Sequence, residues 1–138
     1  MRGALALCAL AATLVPAGCS GVTAADLFVV SRSGATPGAK LMLLVNEEGG
    51  VSCNGRQARQ KLEDAQIVKA REIQEELLKP SSAHLSLPAK AGSTLTYHVR
   101  DESGTVSFSD NSAEQPLVLH KLQLFVLQTA QQICHLSE

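Results

Sequence analysis

The first nineteen residues constrain the chain most, because they decide the compartment in which the rest has to fold. A single positive charge, Arg2, precedes an apolar run over residues 4–15, and the small residues Ala17 and Gly18 stand directly before Cys19. This is the layout of an export signal, and the apolar run is too short for a membrane-spanning helix of about 20 residues. We therefore predict that residues 1–18 are a signal peptide, and that the remainder folds in an oxidising environment outside the cytoplasm.

The run Ala17-Gly18-Cys19 resembles the lipobox of bacterial lipoproteins, in which the cysteine is lipidated and becomes the mature N-terminus. The resemblance implies that Cys19 carries the lipid and that residues 19–25 are a short tether. The domain would then stand at the outer face of the cell membrane, where two acyl chains give a stable anchor. A rival site exists, because Val22-Thr23-Ala24 resembles the small-x-small site of ordinary signal peptidases, and cleavage after Ala24 predicts a secreted protein instead.

Cysteine usage indicates one disulfide. Of the 4 cysteines, Cys8 lies inside the predicted signal and Cys19 is the candidate lipid acceptor, which leaves Cys53 and Cys134 as a pair. In an exported protein such a pair is expected to be oxidised, and two buried free thiols are the alternative. The linked pair would close a loop of about 80 residues, for which the chain-entropy model gives roughly 4.5 kcal/mol of stability.

Charge and aromatic content argue against nucleic-acid binding. The formal net charge is −1, and removal of the signal takes away Arg2 but no acidic residue. The chain contains 3 Phe, 1 Tyr and no Trp. Such a composition supplies neither the phosphate-binding charge nor the stacking platform that nucleic-acid recognition requires.

Short β-branched and apolar runs predict strands in two groups. The first group covers residues 26–32 and 39–45, with a brief return over residues 51–53. The second group is a hairpin, because residues 95–99 and 105–109 alternate apolar and polar side chains on either side of a turn. This alternation predicts a sheet with one buried and one solvated face.

Two helices are predicted. Apolar residues recur at helical spacing after Asp64, which suits an N-cap, and we expect this helix to end at Pro80. Residues 56–61 before it are predicted to be a polar connection. The second helix is expected to have Pro116 at its first position and to carry a wide apolar arc as far as Cys134.

Together these elements predict the fold class α+β. A small antiparallel β-sheet of four to five strands would have two helices packed on one face, in the order β-β-(β)-α-β-β-α. We expect one domain, residues 26–138, because a chain of 138 residues lies within the usual size of a single domain.

No arrangement of residues in the sequence is typical of an active site. The histidines are isolated along the chain: His84, His98, His120 and His135. They form no His-x-x-x-His pair, the cysteines form no Cys-x-x-Cys pair, and there is no Gly-x-Ser-x-Gly turn for a serine nucleophile. We therefore expect a protein that is not an enzyme and that has no catalytic residues, no metal and no cofactor.

A set of landmarks follows in order over residues 26–134. They are Phe-Val-Val-Ser-Arg-Ser-Gly at 28–34, Pro37-Gly38, Leu-Ser-Leu-Pro at 85–88, Leu-Thr-Tyr-His-Val at 95–99, Gly104, Asp110 and the segment from Pro116 to Leu122. This order resembles that of emfourin-like proteins, which are small bacterial inhibitors of thermolysin-type metalloproteases. The chain differs by Ala35 in place of a second glycine, by its Cys53 and Cys134 pair and by its export signal. The resemblance implies protease inhibition but assigns no inhibitory residue.

Two functions remain open. The first is an exported, lipid-anchored binding domain without enzymatic activity, whose partner is a protein of the cell envelope or an exported protease that it inhibits. The alternative is a structural or assembly lipoprotein of the bacterial envelope with no protease target, which would use the apolar arc of residues 117–127 against its partner. Neither hypothesis assigns partner-binding residues.

Overall fold

The computed structural model describes residues 24–136 of the chain, and the predicted signal peptide and most of the tether lie outside this range. The described elements are, in chain order, β1 (Asp26–Gly34), β2 (Leu41–Asn46), β3 (Val51–Cys53), β4 (Arg56–Gln57), α1 (Asp64–Ser82), β5 (Leu95–Arg100), β6 (Thr105–Ser109) and α2 (Leu117–Gln132). The predicted α+β class, with one antiparallel sheet and two helices, is confirmed.

The strands form a single sheet in the order β4-β3-β2-β1-β5-β6. Consecutive antiparallel hairpins build β1 to β4, and α1 then carries the chain across the sheet, so that β5 pairs with the other side of β1. Val30 in the middle of β1 lies opposite Leu43 of β2 and Val99 of β5. Because residues that lie opposite each other share a face, these three side chains form a buried row on one side of the sheet.

The core lies between this side of the sheet and the two helices. Phe125 of α2 meets Phe28 of β1 edge to face, with ring centroids 5.9 Å apart, and Tyr97 and Phe108 stack at 5.0 Å. Aromatic pairs of this kind contribute about 0.5–1.5 kcal/mol beyond the burial of their surface. Buried apolar residues from the other elements except β4 complete the core.

The two helices run antiparallel to each other on the sheet. Gln66, near the start of α1, donates to Gln132 at the end of α2 over 3.2 Å. Farther along, Glu76 of α1 pairs with Lys121 of α2 at 2.5 Å. Together the two helices cover one face of the sheet.

The two ends of the sheet differ in what they carry. At the end where the chain enters β1, which we call the entry end, lie the β2–β3 and β5–β6 turns. Helix α1 packs there, because Arg71 donates to the Glu47 carbonyl over 2.8 Å and Gln74 donates to Glu102 over 3.1 Å. The opposite end, which we call the far end, carries the β3–β4 turn and the β1–β2 loop, which we call the 34–40 loop because it begins with Gly34, the last residue of β1.

The sheet has six strands, so the predicted number of four to five was too low. The additional strand, β4, lies within residues 56–61, which were predicted to be a polar connection. Asn54 and Gly55 both have positive φ values, 52° and 78°, as in the type I′ turn that closes a tight hairpin. Since β4 has only 2 residues, both exposed, it offers no alternation of apolar and polar side chains from which to predict a strand.

The start of each helix was placed one residue away from its observed position. Asp64 is the first residue of α1 rather than its N-cap, and Glu63 is the N-cap. The Glu63 amide donates to the Gln66 side chain over 3.0 Å, so a glutamine provides the cap interaction. Pro116 is the N-cap of α2 rather than its first residue.

Pro80 does not end α1 as predicted. The helix continues through Ser82 and has Ala83 as its C-cap. A proline lacks the amide hydrogen that would bond to the carbonyl four residues earlier, and its ring strains the preceding turn. Pro80 has this effect close to the end of α1, because only Ser81 and Ser82 follow it in the helix. His84 then takes the left-handed conformation with φ 49°, and its amide donates to the Ser81 carbonyl over 2.9 Å, which closes the helix end.

Candidate functional site

The strand side chains that alternate with the core residues point to the side of the sheet that neither α1 nor α2 covers. We call this side the open face. Its residues are Asp26, Val29, Ser31, Ser33, Met42, Leu44, Asn46, Ser52, Gln57, Thr96, His98, Arg100, Thr105 and Ser107. The predicted combination of one buried and one solvated face is therefore present.

An apolar patch occupies the middle of the open face on β1 and β2. Val29 lies opposite Leu44, and Met42, opposite Ser31, is 47% exposed. Hydroxyl-bearing residues surround the patch, and His98 Nδ1 lies 2.8 Å from Ser107 Oγ on the neighbouring strand. An exposed apolar centre with a polar rim is the usual composition of a protein interface.

The 34–40 loop lies next to the open face at the far end of the sheet. The Ala39 amide donates to the Thr36 carbonyl over 3.1 Å, and Gly38 has φ 82°. Proline at the second position and a glycine with positive φ at the third position define a type II turn, here Thr36-Pro37-Gly38-Ala39. The turn restricts the backbone of the exposed tip.

Arg32 fixes this loop from the core side of the sheet. Its side chain lies on the core side of β1 and is only 2% exposed. Its Nε donates to the Ala39 carbonyl and its Nη2 to the Gly38 carbonyl, each over 3.0 Å. A loop that is fixed before a partner arrives loses less conformational entropy on binding than a mobile loop does.

The loop and the open face together enclose a shallow concavity of about 800 Å³. Asn54 of the β3–β4 turn forms part of its wall and fixes the edge of β2. Its side-chain oxygen accepts from the Met42 amide, and its own amide donates to the Met42 carbonyl, both over 2.8 Å. The concavity is lined by Ser31, Ser33, Lys40, Met42, Thr96 and His98, among others.

The predicted Cys53–Cys134 disulfide is present and confirmed. It joins the last residue of β3 to a residue just beyond α2, with the two Cα atoms 5.8 Å apart. Both cysteines pack against the hydrophobic core. The bond therefore ties the short-strand edge of the sheet to the end of the helix layer.

The other residues that the sequence singled out are not brought together. Cys8 and Cys19 lie outside the described residues. The histidines are spread over α2, the open face and two chain turns, and within residues 24–136 no three His, Cys, Asp or Glu side chains come together as metal ligands. The candidate binding surface was not predicted, although the alternation along β1 and β5 already places Ser31, Ser33, Thr96 and His98 on one side.

Asp110, directly after β6, joins that strand to the loop before β5. Its carboxylate accepts from Ser93 Oγ over 2.8 Å, from Thr94 Oγ1 over 2.6 Å and from the Thr94 amide over 3.1 Å. Partial burial acts to raise the pKa of Asp110. The hydrogen bonds from the Thr94 and Ser93 side chains, and then from the backbone, outweigh burial, and the pKa lies below its usual value of 3.8.

We expect Asp110 to make the stability of the domain depend on pH in acid. A carboxyl group whose pKa is lower in the folded state stabilises the fold above its unfolded pKa and loses this effect as the pH falls through the folded value. The free energy of unfolding should therefore decrease below about pH 4, and less steeply in Asp110→Asn. Urea unfolding at about pH 6 and about pH 3 measures this, with exposed Glu72→Gln as the control. The same pH slope in Asp110→Asn and wild type would contradict the role of Asp110.

No family model, curated protein or solved structure matches the chain. The resemblance to emfourin-like proteins therefore stays a prediction. Neither α1 nor α2, the helices of the described part of the chain, is long and apolar enough to cross a membrane.

Proposed function

We propose that this protein is an exported, non-enzymatic protein-binding domain that is held at the outer face of the cell membrane by a lipid on Cys19. The observation that carries the proposal is the open face, where an exposed apolar patch lies beside a loop fixed by Arg32. A surface with these two properties fits a protein partner, because the apolar centre supplies binding energy and the fixed loop limits the entropy lost on binding.

The disulfide supports export. Disulfides form and persist in exported proteins and are rare in the reducing cytosol. The Cys53–Cys134 bond lies within the folded domain, where both cysteines pack against the core. A folded protein of this kind fits the compartment that the predicted signal peptide specifies.

The position of the chain entry supports an anchor that leaves the binding surface accessible. The Ala25 carbonyl accepts from the Glu47 amide over 2.9 Å, so the tether reaches the domain at the entry end. The 34–40 loop lies at the far end, beyond the 9 residues of β1, which corresponds to roughly 30 Å of strand. A lipid on Cys19 would therefore direct this loop away from the membrane.

Protease inhibition is the form of binding that the resemblance to emfourin-like proteins favours. The fixed and exposed 34–40 loop supports it physically, because a rigid loop fits a cleft with little loss of entropy. In this proposal the partner is an exported thermolysin-type metalloprotease. The remaining partner class is a protein of the cell envelope.

One observation favours the alternative function, a structural or assembly lipoprotein. Most of the apolar arc over residues 117–127 is buried in the core, but Leu117 is 69% exposed. Beside it lies a groove of about 490 Å³ formed with Pro80, Leu85 and Val118. An envelope partner that packs against this groove would use the helix layer and not the open face.

Expression of the full chain in an exporting bacterial host tests the proposal. We expect intact mass to show a lipid-modified Cys19, membrane fractionation to place the protein in the membrane pellet, and Cys19→Ala to move it to the soluble exported fraction. Chemical cross-linking on intact cells should join both forms to the same protein. A captured protease whose activity falls on titration supports inhibition, and a captured envelope protein with no effect on proteases supports the alternative.

A matched variant is Cys8→Ala, which changes a cysteine of the predicted signal and should leave both lipid and fractionation unchanged. Three results would contradict the proposal: an unprocessed chain with reduced thiols in the cytoplasm, membrane binding that survives Cys19→Ala, or the absence of any cross-linked protein.

A further inference from the structure

Acidic side chains surround the entry end of the open face. Asp26, Asp101 and Glu102 line one pocket of about 200 Å³ there. Among the residues of the described chain that line this pocket, Arg100 is the one cation. The adjoining β2–β3 turn adds two exposed glutamates at positions 47–48. The entry end of the face therefore carries a net negative charge.

The far end of the face has the opposite charge. Lys40 is exposed there at the rim of the concavity, and Arg32 also contributes to the lining of the concavity. The residues between positions 24 and 136 that line it include no Asp or Glu. A face that is negative at one end and positive at the other attracts a surface with the reverse arrangement.

A second copy of the chain provides this reverse arrangement. When two copies meet face to face about a two-fold axis that runs across the strands, each strand lies over the same strand of the other copy in the opposite direction. The acidic entry end of each copy then lies over the basic far end of the other, so the pairing occurs twice. Sheets that pack face to face are about 10 Å apart, a distance that a lysine and a carboxylate side chain can bridge.

The apolar patch lies between the two charged ends. Met42, which is 47% exposed, and Leu44 project from β2 onto the open face. Lys40 directly precedes β2, and Asp26 lies opposite Asn46 at the other end of this strand. The apolar side chains are therefore close to the two-fold axis, where each meets the same group of the other copy. Methionine adapts its side chain to irregular apolar neighbours, which suits this position.

The lateral edges of the sheet offer little for a dimer that continues the sheet. At the β6 edge, the Leu87 amide donates to the Ser107 carbonyl and the Ser107 amide donates to the Leu85 carbonyl, both over 2.9 Å. At the other edge, β4 has only 2 residues. Since little edge backbone is left for strand pairing between copies, a second copy is expected on the face.

The size of the contact predicts a weak dimer. Strand β2 has 6 residues, which corresponds to roughly 20 Å of length. The strands from β3 to β6 extend over roughly 20–25 Å across the sheet. Two such faces bury roughly 1,000 Å² in total, which is at the lower limit for a specific interface. We therefore expect association in concentrated solution, or among copies that a membrane holds close together.

We propose that two copies of this protein associate through their open faces as an antiparallel, two-fold symmetric dimer. Lys40 of each copy pairs with Asp26 of the other, and Met42 lies near the axis. The dimer covers the open face and the concavity, so a partner protein and a second copy compete for one surface. The inference does not depend on the proposed function, but it adds to it a covered state that the partner has to displace.

The arrangement is compatible with two lipid anchors. The two chain entries lie at opposite ends of the contact, so both tethers can meet one membrane when the strands lie parallel to it. The anchored monomer instead directs the 34–40 loop away from the membrane. Dimer formation would therefore change which surface an approaching protein meets.

Sedimentation of the exported Cys19→Ala chain, from about 1 μM to about 1 mM, tests the inference over the range of weak association. We expect a shift from monomer to dimer across this range, and a weaker dimer with added salt. In ¹⁵N-labelled protein, the amide shifts that change with concentration should be confined to the open face.

Two charge reversals identify the orientation of the copies. Lys40→Glu and Asp26→Lys should each weaken the dimer about fivefold or more, because each places like charges together at both pairings. An equal mixture of these two variants should recover the dimer, since both pairings in the mixed dimer then join opposite charges. A parallel arrangement of the two faces would give no such recovery.

Met42→Asp should weaken the dimer about tenfold or more, because two new carboxylates meet near the axis. The matched controls lie on the helix layer. They are Val68→Asp, at a residue that is 54% exposed, and Leu117→Asp, at a residue that is 69% exposed. Both control variants should dimerise like the unmodified chain.

The inference is overturned by a monomer at every concentration, by a mixture of the two charge variants that stays monomeric, or by a dimer that Leu117→Asp disrupts and Met42→Asp does not. Each of these results leaves the proposed function in place, because that proposal is tested by cross-linking to a different protein. A dimer through the open face, with no other protein cross-linked on intact cells, supports the inference and contradicts the proposed function.

Discussion

Removing the disulfide with Cys53→Ala/Cys134→Ala should lower the free energy of unfolding by about 4.5 kcal/mol. The bond closes a loop with a sequence separation of 81 residues, and a loop of that length restricts the unfolded chain strongly. The expected loss is comparable with the whole stability of a small domain, which is about 5–15 kcal/mol. Chemical denaturation of the oxidised wild type and of the double variant measures the difference.

Reduced wild-type protein is the matched control, because it lacks the bond but keeps both sulfur atoms in place. Its unfolding midpoint should lie close to that of the double variant. We also expect faster amide exchange in β3 and β4 than in β1 when the bond is absent, since these short strands are held at the sheet edge and β4 contributes nothing to the core. Equal midpoints for oxidised and reduced protein would contradict a stabilising role.

Features that depend only on the local pattern of residue types were predictable from the sequence. The hairpin of β5 and β6 follows from the strict alternation of residues 95–99 and 105–109, and its register pairs Val99 with Val106 on the buried side. The pairing of Cys53 with Cys134 follows from elimination among few cysteines. Both inferences need only the residue types and their spacing, so no tertiary information was required.

Features that depend on distant contacts were not predictable. Arg32 follows a run of apolar residues in β1, and a cation at that place in a strand normally indicates the solvated side. Its burial depends on the carbonyls of Gly38 and Ala39, which come within hydrogen-bond distance of its guanidinium only after the loop has folded. The strand β4 exists because a type I′ turn directs Arg56 and Gln57 back along β3.

The wide apolar arc of α2 shows a further limit of prediction from the sequence. The sequence indicates that Val118, Leu119 and Leu122 are suited either to a core or to a partner, and composition does not distinguish the two. In the structure these residues are buried against the sheet. The candidate binding surface lies instead on the open face, where polar residues outnumber apolar ones and the amount of apolar sequence gives no signal.

Arg32→Met should free the 34–40 loop and reduce binding at the far end of the open face. Methionine keeps an apolar stem of similar length but leaves the Gly38 and Ala39 carbonyls without the guanidinium. Because Ala39 is buried, an unsatisfied acceptor there costs about 1–3 kcal/mol, and we expect a total loss of stability of about 2–4 kcal/mol.

Hydrogen exchange and limited proteolysis of residues 35–39 report the loop directly, and the yield of the chemical cross-link to the partner on intact cells reports binding. We expect faster exchange of the Ala39 amide, new cleavage within the loop, and a lower yield of the cross-link to the partner than in the wild type. Lys40→Met is the matched control for stability and loop order, because it removes an exposed cation from the same loop and leaves the Arg32 hydrogen bonds to Gly38 and Ala39 in place. An Arg32→Met protein with unchanged exchange and stability would show that the loop holds its conformation through the Thr36–Ala39 turn alone, and that the buried guanidinium does not organise the candidate site.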